Sequence, residues 1–217
     1  MIDRELPYLS CFLLPQMTKR IAVIGAGAAG LVAARKCLQD GSFEVTVFEQ
    51  SGNVGGTWVY SSETNVHSSL YETMSTNLPK EVMHFPGVPF DREANEDSFV
   101  PHKDVRKYLE DYAADLLHLI KFHYEVLKVE RIEDKWDVTT KSLSGAAKTE
   151  SFDVVFVCSG HNSDPSYPIL KHEFSGRHIH SHNYRKQQEF RGETVAIVGA
   201  GNSGMDICLQ VAEEAKK

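Results

Sequence analysis

The sequence lacks the features of several large classes of protein. It has no apolar run that approaches the roughly 20 residues of a membrane-spanning helix. Its 23 Lys and Arg are outnumbered by 30 Asp and Glu, and no basic cluster indicates a nucleic-acid-binding face. No Cys-x-x-Cys pair occurs, which argues against a disulfide framework and a zinc site. The four cysteines are Cys11, Cys37, Cys158 and Cys208. We therefore expect reduced thiols in a cytoplasmic or cytosol-facing protein.

Residues 1–17 are interpreted as an N-terminal extension. Asp3 and Glu5 place negative charge where a signal peptide has positive charge, and no small-residue cleavage site follows the short apolar stretch. Met17 offers a second start, so the sequence leaves open whether Met1 or Met17 begins the natural chain.

A glycine loop lies between a predicted strand and a predicted helix. The apolar run 20–24 predicts a buried parallel strand, and the alanine-rich segment 28–39, closed by Gly41, predicts a helix. The loop between them fits G-x-G-x-x-G, which in this context binds a dinucleotide. Its glycines permit a tight turn, close approach of a pyrophosphate and close helix packing, and the helix N-terminus attracts phosphate. The predicted binding residues are Gly25, Ala26, Gly27, Ala28, Ala29 and Gly30.

Glu49 ends a second predicted strand, over residues 44–49, about 20 residues beyond the glycine loop, where dinucleotide-binding folds place an acidic residue. Its carboxylate can accept hydrogen bonds from ribose hydroxyls. It would also repel a 2′-phosphate, so this first site should not take NADP. The alternative interpretation is a surface glutamate at a strand end.

A second glycine loop, over residues 199–204, repeats the pattern near the end of the chain. It follows a predicted strand over 194–198 and precedes a predicted helix over 203–214. Two such loops imply two nucleotides. The simplest scheme places a flavin in the first site and a nicotinamide in the second, with a hydride passing between them.

The remaining segments indicate an α/β fold. Residues 52–101 are rich in Gly, Pro, Ser and Asn and predict loops around a ligand, and residues 102–119 have the apolar spacing of an amphipathic helix. Short strands over 126–129 and 136–140 predict a small antiparallel layer, and 152–158 predicts another buried parallel strand. We expect a Rossmann-like domain over residues 18–170, with a parallel sheet plus that antiparallel layer. The start of a second Rossmann-like domain should follow over residues 171–217.

A longer motif makes the interpretation more specific. Residues 174–184 fit F-x-G-x-x-x-H-x-x-x-Y, with Phe174, Gly176, His180 and Tyr184 at the defining positions. This pattern resembles the identifying motif of the flavin-containing monooxygenases. Arg185 departs from the Lys or Asp that usually follows, but it keeps a positive charge. Baeyer–Villiger monooxygenases resemble the pattern too, although they place Trp where Tyr184 stands, and flavin disulfide reductases need a redox cysteine pair.

Other segments are similar to the same family, in the same order. They are Gly55-Gly56-Thr57-Trp58, Ser75-Thr76-Asn77, the Phe-Pro turn at 85–90, Cys158-Ser159-Gly160-His161 and Gly201-Asn202-Ser203-Gly204-Met205-Asp206. The resemblance implies FAD at the first loop, with Gly56, Thr57, Trp58, Thr76 and Asn77 nearby. It implies NADPH at the second loop, bound by Gly199, Gly201, Asn202, Ser203, Gly204, Met205 and Asp206.

The resemblance also implies a reaction, the monooxygenation of the N,N-dimethylaniline monooxygenase type. Oxygen adds to the reduced flavin to give a C4a-hydroperoxide, and a small tertiary amine or sulfide takes one oxygen atom from O2. Asn77 is the candidate catalytic side chain beside the flavin and nicotinamide, since its amide both donates and accepts. The alternative is a turn residue shortly before Pro79.

His178, His180 and His182 alternate and could suggest a metal, but the other ligands of a common zinc site are missing, so we interpret them as motif architecture and predict no metal.

Two hypotheses about the chain as a whole stay open. One strand and one helix cannot bury each other's apolar faces, so we interpret the C-terminal end as cut. The intact order of the motifs favours the hypothesis that the chain is part of an active monooxygenase, whereas the stop one helix into a domain favours the second hypothesis. The alternative is a catalytically inactive short product that binds nucleotide weakly or exposes an unpaired strand to a partner. The sequence leaves open whether the protein forms a homo-oligomer and whether it associates with the endoplasmic reticulum through a segment absent from this chain. It does not identify the substrate, and the preference for NADPH over NADH is implied by the resemblance alone.

Overall fold

The structure, a computed structural model, describes residues 18–90, 96–143, 145–167 and 174–217. The predicted extension over 1–17 lies outside these residues. The strands and helices, in chain order, are β1 Lys19–Ile24, α1 Ala28–Asp40, β2 Phe43–Glu49, α2 Lys80–Met83, α3 His102–Ala113, β3 Ile120–Phe122, β4 Tyr124–Ile132, β5 Lys135–Ser142, β6 Lys148–Phe152, β7 Val154–Val157 and α4 Asn202–Ala212.

A parallel sheet is the centre of the fold, and its strand order is β3-β2-β1-β7. The predicted β1-α1-β2 unit is confirmed. α1 ends where Gly41 adopts a φ of +73° and donates its backbone N–H to Leu38 O at 3.1 Å, which closes the helix as the sequence predicts. β1 pairs with β2 from Lys19↔Phe43 to Ile24↔Phe48, so the two strands end at the same edge of the sheet.

The parallel sheet is covered on both faces, which explains why its strands are almost continuously apolar. On one face, Ile21, Val23 and Val47 pack with side chains of α1 and α3, including Leu31 and Leu109. On the other face, Ala22 and Phe48 pack against Val138 and Phe152 of the antiparallel sheet β4-β5-β6. The α/β class, with a parallel sheet and a small antiparallel layer, is therefore confirmed.

The predicted strand over 152–158 is wrong in its bounds, because the chain changes sheets at Asp153. Phe152 ends β6, and β7 begins at Val154. Asp153 exchanges two hydrogen bonds with Arg20 of β1: its backbone N–H donates to Arg20 O, and its Oδ2 accepts from Arg20 N, both at 2.8 Å. This double contact turns the backbone from the antiparallel layer into the parallel sheet.

The predicted helix over 102–119 is too long, since α3 ends at Ala113. The apolar spacing continues to Leu116, but the backbone hydrogen bonds there join residues three apart instead of four. Leu116 N donates to Ala113 O, and Leu119 N donates to Leu116 O. These shorter steps lead into β3, a three-residue strand that pairs with β2 and that the sequence did not indicate. The pairing of β3 with β2 therefore ends the helix earlier than the apolar spacing of the sequence predicts.

The predicted strand over 194–198 is also wrong. Among the described residues no strand lies beside it, and a strand without a neighbour has no ladder of hydrogen bonds. Val195 N instead donates to Lys217 O at 2.9 Å, and the side chain of Val198 is 81% exposed. The helix that follows is confirmed as α4. Within the described residues, no helix combines the length and apolarity needed to cross a bilayer.

Two glycines of the first unit offer a matched test of why this fold needs glycine. A Cβ added at Gly30 would lie 1.9 Å from Gly25 O, whereas one added at Gly41 would meet nothing within 4 Å. We expect Gly41→Ala to cost about 1–2 kcal/mol from its left-handed backbone. We expect Gly30→Ala to cost about 3 kcal/mol, the upper end of the usual cost of overpacking, because α1 must move off β1. Urea unfolding measures both, and an equal or smaller loss for Gly30→Ala would contradict the packing argument.

Candidate functional site

A cleft of about 600 Å³ opens where the carboxyl ends of β1, β2 and β7 meet. This is the place where open parallel sheets bind ligands. The first glycine loop and the Gly-Gly-Thr-Trp turn form one wall, and the antiparallel layer contributes Tyr124 from the other side. Of the residues predicted from the sequence, the lining includes Gly25, Gly27, Ala28, Ala29, Glu49, Gly56, Thr57 and Trp58.

The first loop turns sharply at Gly25 and then starts α1. Gly25 has a φ of +101° and donates its backbone N–H to Phe48 O at 2.8 Å. A Cβ at this residue would lie 2.5 Å from Cys158 O, so the backbone just after β7 also approaches the loop too closely for any side chain. Gly30 faces Gly25 O in the same way. These contacts join the loop, the helix and two strands into one compact turn.

The N-terminus of α1 is open towards the cleft. Gly27 is the N-cap, no side chain caps the first turn, and the first turn has no acidic residue. Its backbone N–H groups can therefore bind phosphate oxygens, and the helix dipole favours that charge. Gly56 packs against Gly27, since a Cβ at Gly56 would lie 3.1 Å from Gly27 Cα, and Gly55 N donates to Ala26 O at 3.0 Å. The site fits a pyrophosphate.

Glu49 lies at the floor of the cleft and is only 7% exposed. Its two carboxylate oxygens accept backbone hydrogen bonds from Ala26 N and Ser51 N, both at 2.8 Å. The Ala26 N–H is thus directed at the carboxylate and not at a phosphate. Each oxygen of Glu49 keeps a second acceptor position, so hydrogen bonds from ribose hydroxyls stay a prediction for this residue.

Sequence reasoning missed part of the lining. The segment after β7 contributes Ser159, Gly160 and His161, and β4 contributes Tyr124 and Val126. The segment after β7 could have been found, because parallel strands that pair with β1 end at the same edge as β1. The contribution of β4 depends on how the antiparallel layer sits over the sheet, and no sequence signal indicated it.

Thr76 and Asn77, by contrast, are not among the residues that line this cleft. Thr76 is buried and pairs with Val100: its backbone N–H donates to Val100 O at 2.9 Å, and its Oγ1 accepts from Val100 N at 3.1 Å. Asn77 is exposed beside it. Their roles near a flavin stay predictions.

The second loop has the same local geometry as the first. Gly199 has a φ of +115°, and a Cβ at Gly204 would lie 2.5 Å from Gly199 O. Gly201 is the N-cap of α4 with no capping side chain, and Met205 N donates to Gly201 O at 3.0 Å, as Leu31 N does to Gly27 O. Its surroundings differ, since a Cβ at Gly199 or at Gly201 would meet nothing within 4 Å. Asn202, Ser203 and Met205 are exposed.

Asp206, the last residue predicted at the second loop, is directed at the body of the protein. Its Oδ2 accepts hydrogen bonds from the Tyr71 hydroxyl and from Gln210 Nε2, the latter at 3.3 Å. Tyr184 donates to Gln210 Oε1 at 3.1 Å and is 1% exposed. Burial and the hydrogen bond to Asp206 raise the pKa of Tyr71, and burial, followed by the charge of Asp206, raises the pKa of Tyr184 to about 12.

The three alternating histidines do not share one face of a strand, because Ser181–Asn183 forms a 3-10 turn. His180 Nδ1 accepts from His182 N at 3.1 Å, and buried His182 Nδ1 lies 3.0 Å from Asn183 Oδ1. His178 Nε2 lies 3.3 Å from Phe174 O. The part of the chain that the structure describes contains no group of three His, Cys, Asp or Glu side chains that could hold a metal ion.

Comparison with known proteins gives a consistent set of relatives. The family model "Flavin-binding monooxygenase-like" matches residues 18–217. The flavin-containing monooxygenase FMO GS-OX2 of Arabidopsis thaliana is 41% identical over 225 residues, which cover 94% of this chain and 49% of that protein. FMO GS-OX1 of the same organism is also 41% identical, over 92% of this chain and 48% of its own length. The chain thus spans about half the length of the curated relatives it matches.

Solved structures agree with these relatives. The S-allyl-L-cysteine S-oxygenase from Allium sativum is 36% identical with a TM-score of 0.87, and the match covers 92% of this chain and 50% of that one. Tmm from Pelagibacter is 29% identical with a TM-score of 0.84, over 91% and 50%. Cyclohexanone monooxygenase, at 24% identity and a TM-score of 0.68 over 91% and 38%, shares the fold.

The raised pKa of Tyr184 predicts a pH dependence of stability. An unfolded tyrosine ionises at a pKa of 10.0, whereas folded Tyr184 keeps its proton to about 12. The stabilisation that protonated Tyr184 contributes to the folded state is therefore complete below pH 10 and is lost as the pH rises from 10 towards 12. We expect the free energy of unfolding to fall by about 1 kcal/mol more in the wild type than in Tyr184→Phe between about pH 9 and pH 11. Urea titrations at each pH measure this, and parallel curves would contradict it.

Proposed function

Because the chain belongs to the flavin-binding monooxygenase-like family, we propose that it is the FAD-binding part, and the beginning of the NADPH-binding part, of an FAD- and NADPH-dependent monooxygenase. The FAD domain comprises residues 18–170, and residues 171–217 begin the NADPH domain. The observation that supports this best is the repeated loop geometry: two glycine turns each end at an uncapped helix N-terminus.

In this proposal the first cleft holds FAD. The backbone N–H groups at the start of α1 bind the pyrophosphate, and Gly27 lets it approach the chain. Glu49 orients the ribose through the free acceptor positions of its carboxylate. Gly56, Thr57 and Trp58 line the same cleft and are available for contacts with the cofactor. When bound, FAD supplies the redox and oxygen-activating chemistry, which no side chain of a protein can perform.

The second loop binds the pyrophosphate of NADPH by the same geometry. Gly199 makes the turn, Gly201 and Gly204 permit the close approaches, and the N-terminus of α4 faces the phosphates. Asn202, Ser203 and Met205 are exposed there and available for contacts with the nucleotide. The preference for NADPH over NADH rests on the family alone.

The substrate in this proposal is a small molecule with a soft nucleophilic sulfur or nitrogen, as the family's chemistry implies. It takes one oxygen atom from O2, and the other leaves as water. Sulfur is favoured because one similar structure is named an S-allyl-L-cysteine S-oxygenase. Asn77 is the candidate side chain at the reacting centre.

A second candidate is an inactive nucleotide-binding chain that associates with a partner or with a second copy. It is favoured by the exposure of apolar side chains beside the nucleotide loops. Val157 of the edge strand β7 is 70% exposed, Val198 is 81% exposed and Leu209 is 70% exposed. Sedimentation of the purified chain tests self-association directly.

Two matched glycine substitutions test the assignment of the two sites. A Cβ at Gly27 makes only an ordinary contact of 3.5 Å, one at Gly201 meets nothing within 4 Å, and both residues have ordinary negative φ values. Either alanine variant should therefore fold. We expect Gly27→Ala to weaken FAD binding at least about tenfold, because the new methyl group meets the pyrophosphate. We expect Gly201→Ala to keep FAD but to slow its bleaching by NADPH.

The measurement is the absorption spectrum of purified protein after addition of FAD and then of anaerobic NADPH. A retained yellow flavin that NADPH bleaches supports both sites. Retained flavin without bleaching supports only the first and favours the inactive chain. Equal FAD binding by the wild type and Gly27→Ala would contradict the placement of FAD in this cleft.

Asn77 has its own test in the complete monooxygenase. We expect Asn77→Ala to bind FAD normally and to lose N- or S-oxygenation, since its exposed side chain supports no buried contact that folding needs. Oxygenated product and retained flavin are measured on the same sample. Unchanged turnover would remove Asn77 from the mechanism.

A further inference from the structure

We propose that Tyr71, Tyr184, Asp206 and Gln210 form a latch that holds the second nucleotide loop in a fixed position relative to the first cleft. Asp206 is then a positioning residue, and its carboxylate does not contact the nucleotide. This tyrosine latch rests on the proposed function for its purpose, the alignment of NADPH with FAD, but its existence is a property of the folded chain.

The contacts of the latch join parts of the chain that lie far apart in sequence. Asp206 and Gln210 are one turn apart on α4, and Asp206 accepts the hydrogen bond of the Tyr71 hydroxyl. Thr73 Oγ1 donates to Gln210 Oε1 at 2.8 Å. The rings of Tyr71 and Tyr184 pack edge to face with centroids 5.3 Å apart. Both polar side chains of this face of α4 are thus engaged by the segment that holds Tyr71 and Thr73.

A buried apolar contact lies directly beneath these hydrogen bonds. Tyr71, Tyr184 and Phe190 pack with Ile207 and Val211, the buried residues of α4. Because water is largely excluded from this cluster, a hydrogen bond between a phenol and a carboxylate at its edge is stronger than one in water. Apolar packing alone would let α4 slide, whereas a directed bond sets its register.

Arg185, which follows Tyr184 and departs from the family pattern, connects the latch to the first cleft. Arg185 is buried and donates to two carbonyls of the loop that precedes Tyr71: its Nε to Glu63 O at 3.0 Å and its Nη2 to Ser68 O at 2.9 Å. Glu72 N donates to Arg185 O at 2.8 Å. That loop also contains His67, which lines the cleft. A continuous set of contacts therefore runs from the FAD cleft to α4.

The position of α4 matters because its N-terminus is the second loop. Asp206 is the fifth residue of α4 and lies two residues after Gly204, which belongs to the second loop. The loop itself is open, with nothing within 4 Å of a Cβ at Gly199 or Gly201. Hydride transfer needs donor and acceptor atoms within about 3–3.5 Å, and a displacement of about 1 Å can cost about 100-fold in rate. A contact that fixes the first turns of α4 can therefore control how NADPH is aligned with the flavin.

The test is a double-mutant cycle with Tyr71→Phe, Asp206→Ala and both together. The first readout needs no ligand: hydrogen exchange of the amides in α4, measured by mass spectrometry. We expect each single variant to raise exchange in α4 about tenfold, and the double variant to raise it no further, because the two side chains share one hydrogen bond. Asp206→Asn keeps an acceptor oxygen for Tyr71 and should recover much of the protection.

Tyr108→Phe is the matched control. Tyr108 is also buried and also loses a donated hydrogen bond, in its case to Val88 O at 2.8 Å, but it packs against Phe90 away from α4. This control should leave exchange in α4 unchanged. Unchanged exchange in Tyr71→Phe and Asp206→Ala, or additive effects in the double variant, would overturn the latch.

The second readout is flavin reduction in FAD-loaded protein. We expect both single variants to bleach about 10- to 100-fold more slowly with NADPH and at the wild-type rate with dithionite, which needs no second site. Slower bleaching by NADPH in Asp206→Ala but not in Tyr71→Phe would indicate that the Asp206 carboxylate contacts the nucleotide directly, and it would overturn the positioning role. Wild-type protein that dithionite bleaches but NADPH does not would count against the proposed second site and favour the inactive chain, while the exchange data would still decide the latch.

Discussion

The close approach of α1 to the end of β1 is the contact on which the rest of the structure depends. Gly30 faces the carbonyl of Gly25 with no room for a Cβ, and Gly25 in turn faces Cys158 beyond β7. This packing brings the uncapped start of the helix to the sheet edge where β1, β2 and β7 all end. The cleft follows from it, because the open helix N-terminus and the buried carboxylate of Glu49 then meet at one place.

The second loop shows how much of that geometry is local. Its turn and its helix N-cap match those of the first loop, although no strand of the described residues lies beside residues 194–198. A glycine turn with i→i+4 bonding into a helix therefore forms from its own sequence. The surrounding chain encloses only the first loop. That loop lies against Gly56 and Cys158, while the second loop is open. Pre-organised enclosure is what raises affinity for a bound cofactor.

The segment that follows the family motif has a structural meaning in this fold. Tyr184 packs on Tyr71 and bonds Gln210, while Arg185 binds carbonyls of the loop around residues 63–68. His182 and His180 support the turn between them by bonds within the segment. The motif thus forms an architectural connection between the segment around Tyr71 and the glycine loop that starts α4.

The sequence alone determined the local elements: the β1-α1-β2 unit, both glycine loops, α4 and the α/β class, because glycine conformation and apolar periodicity act over a few residues. Tertiary structure decided what depends on distant partners. Asp153 divides one predicted strand between two sheets by binding Arg20, β3 exists only as an addition to the edge of β2, and residues 194–198 form no strand without a neighbour. The carboxylate of Asp206, which its motif predicts at the nucleotide, accepts a hydrogen bond from Tyr71, a partner 135 residues away that no sequence period can indicate.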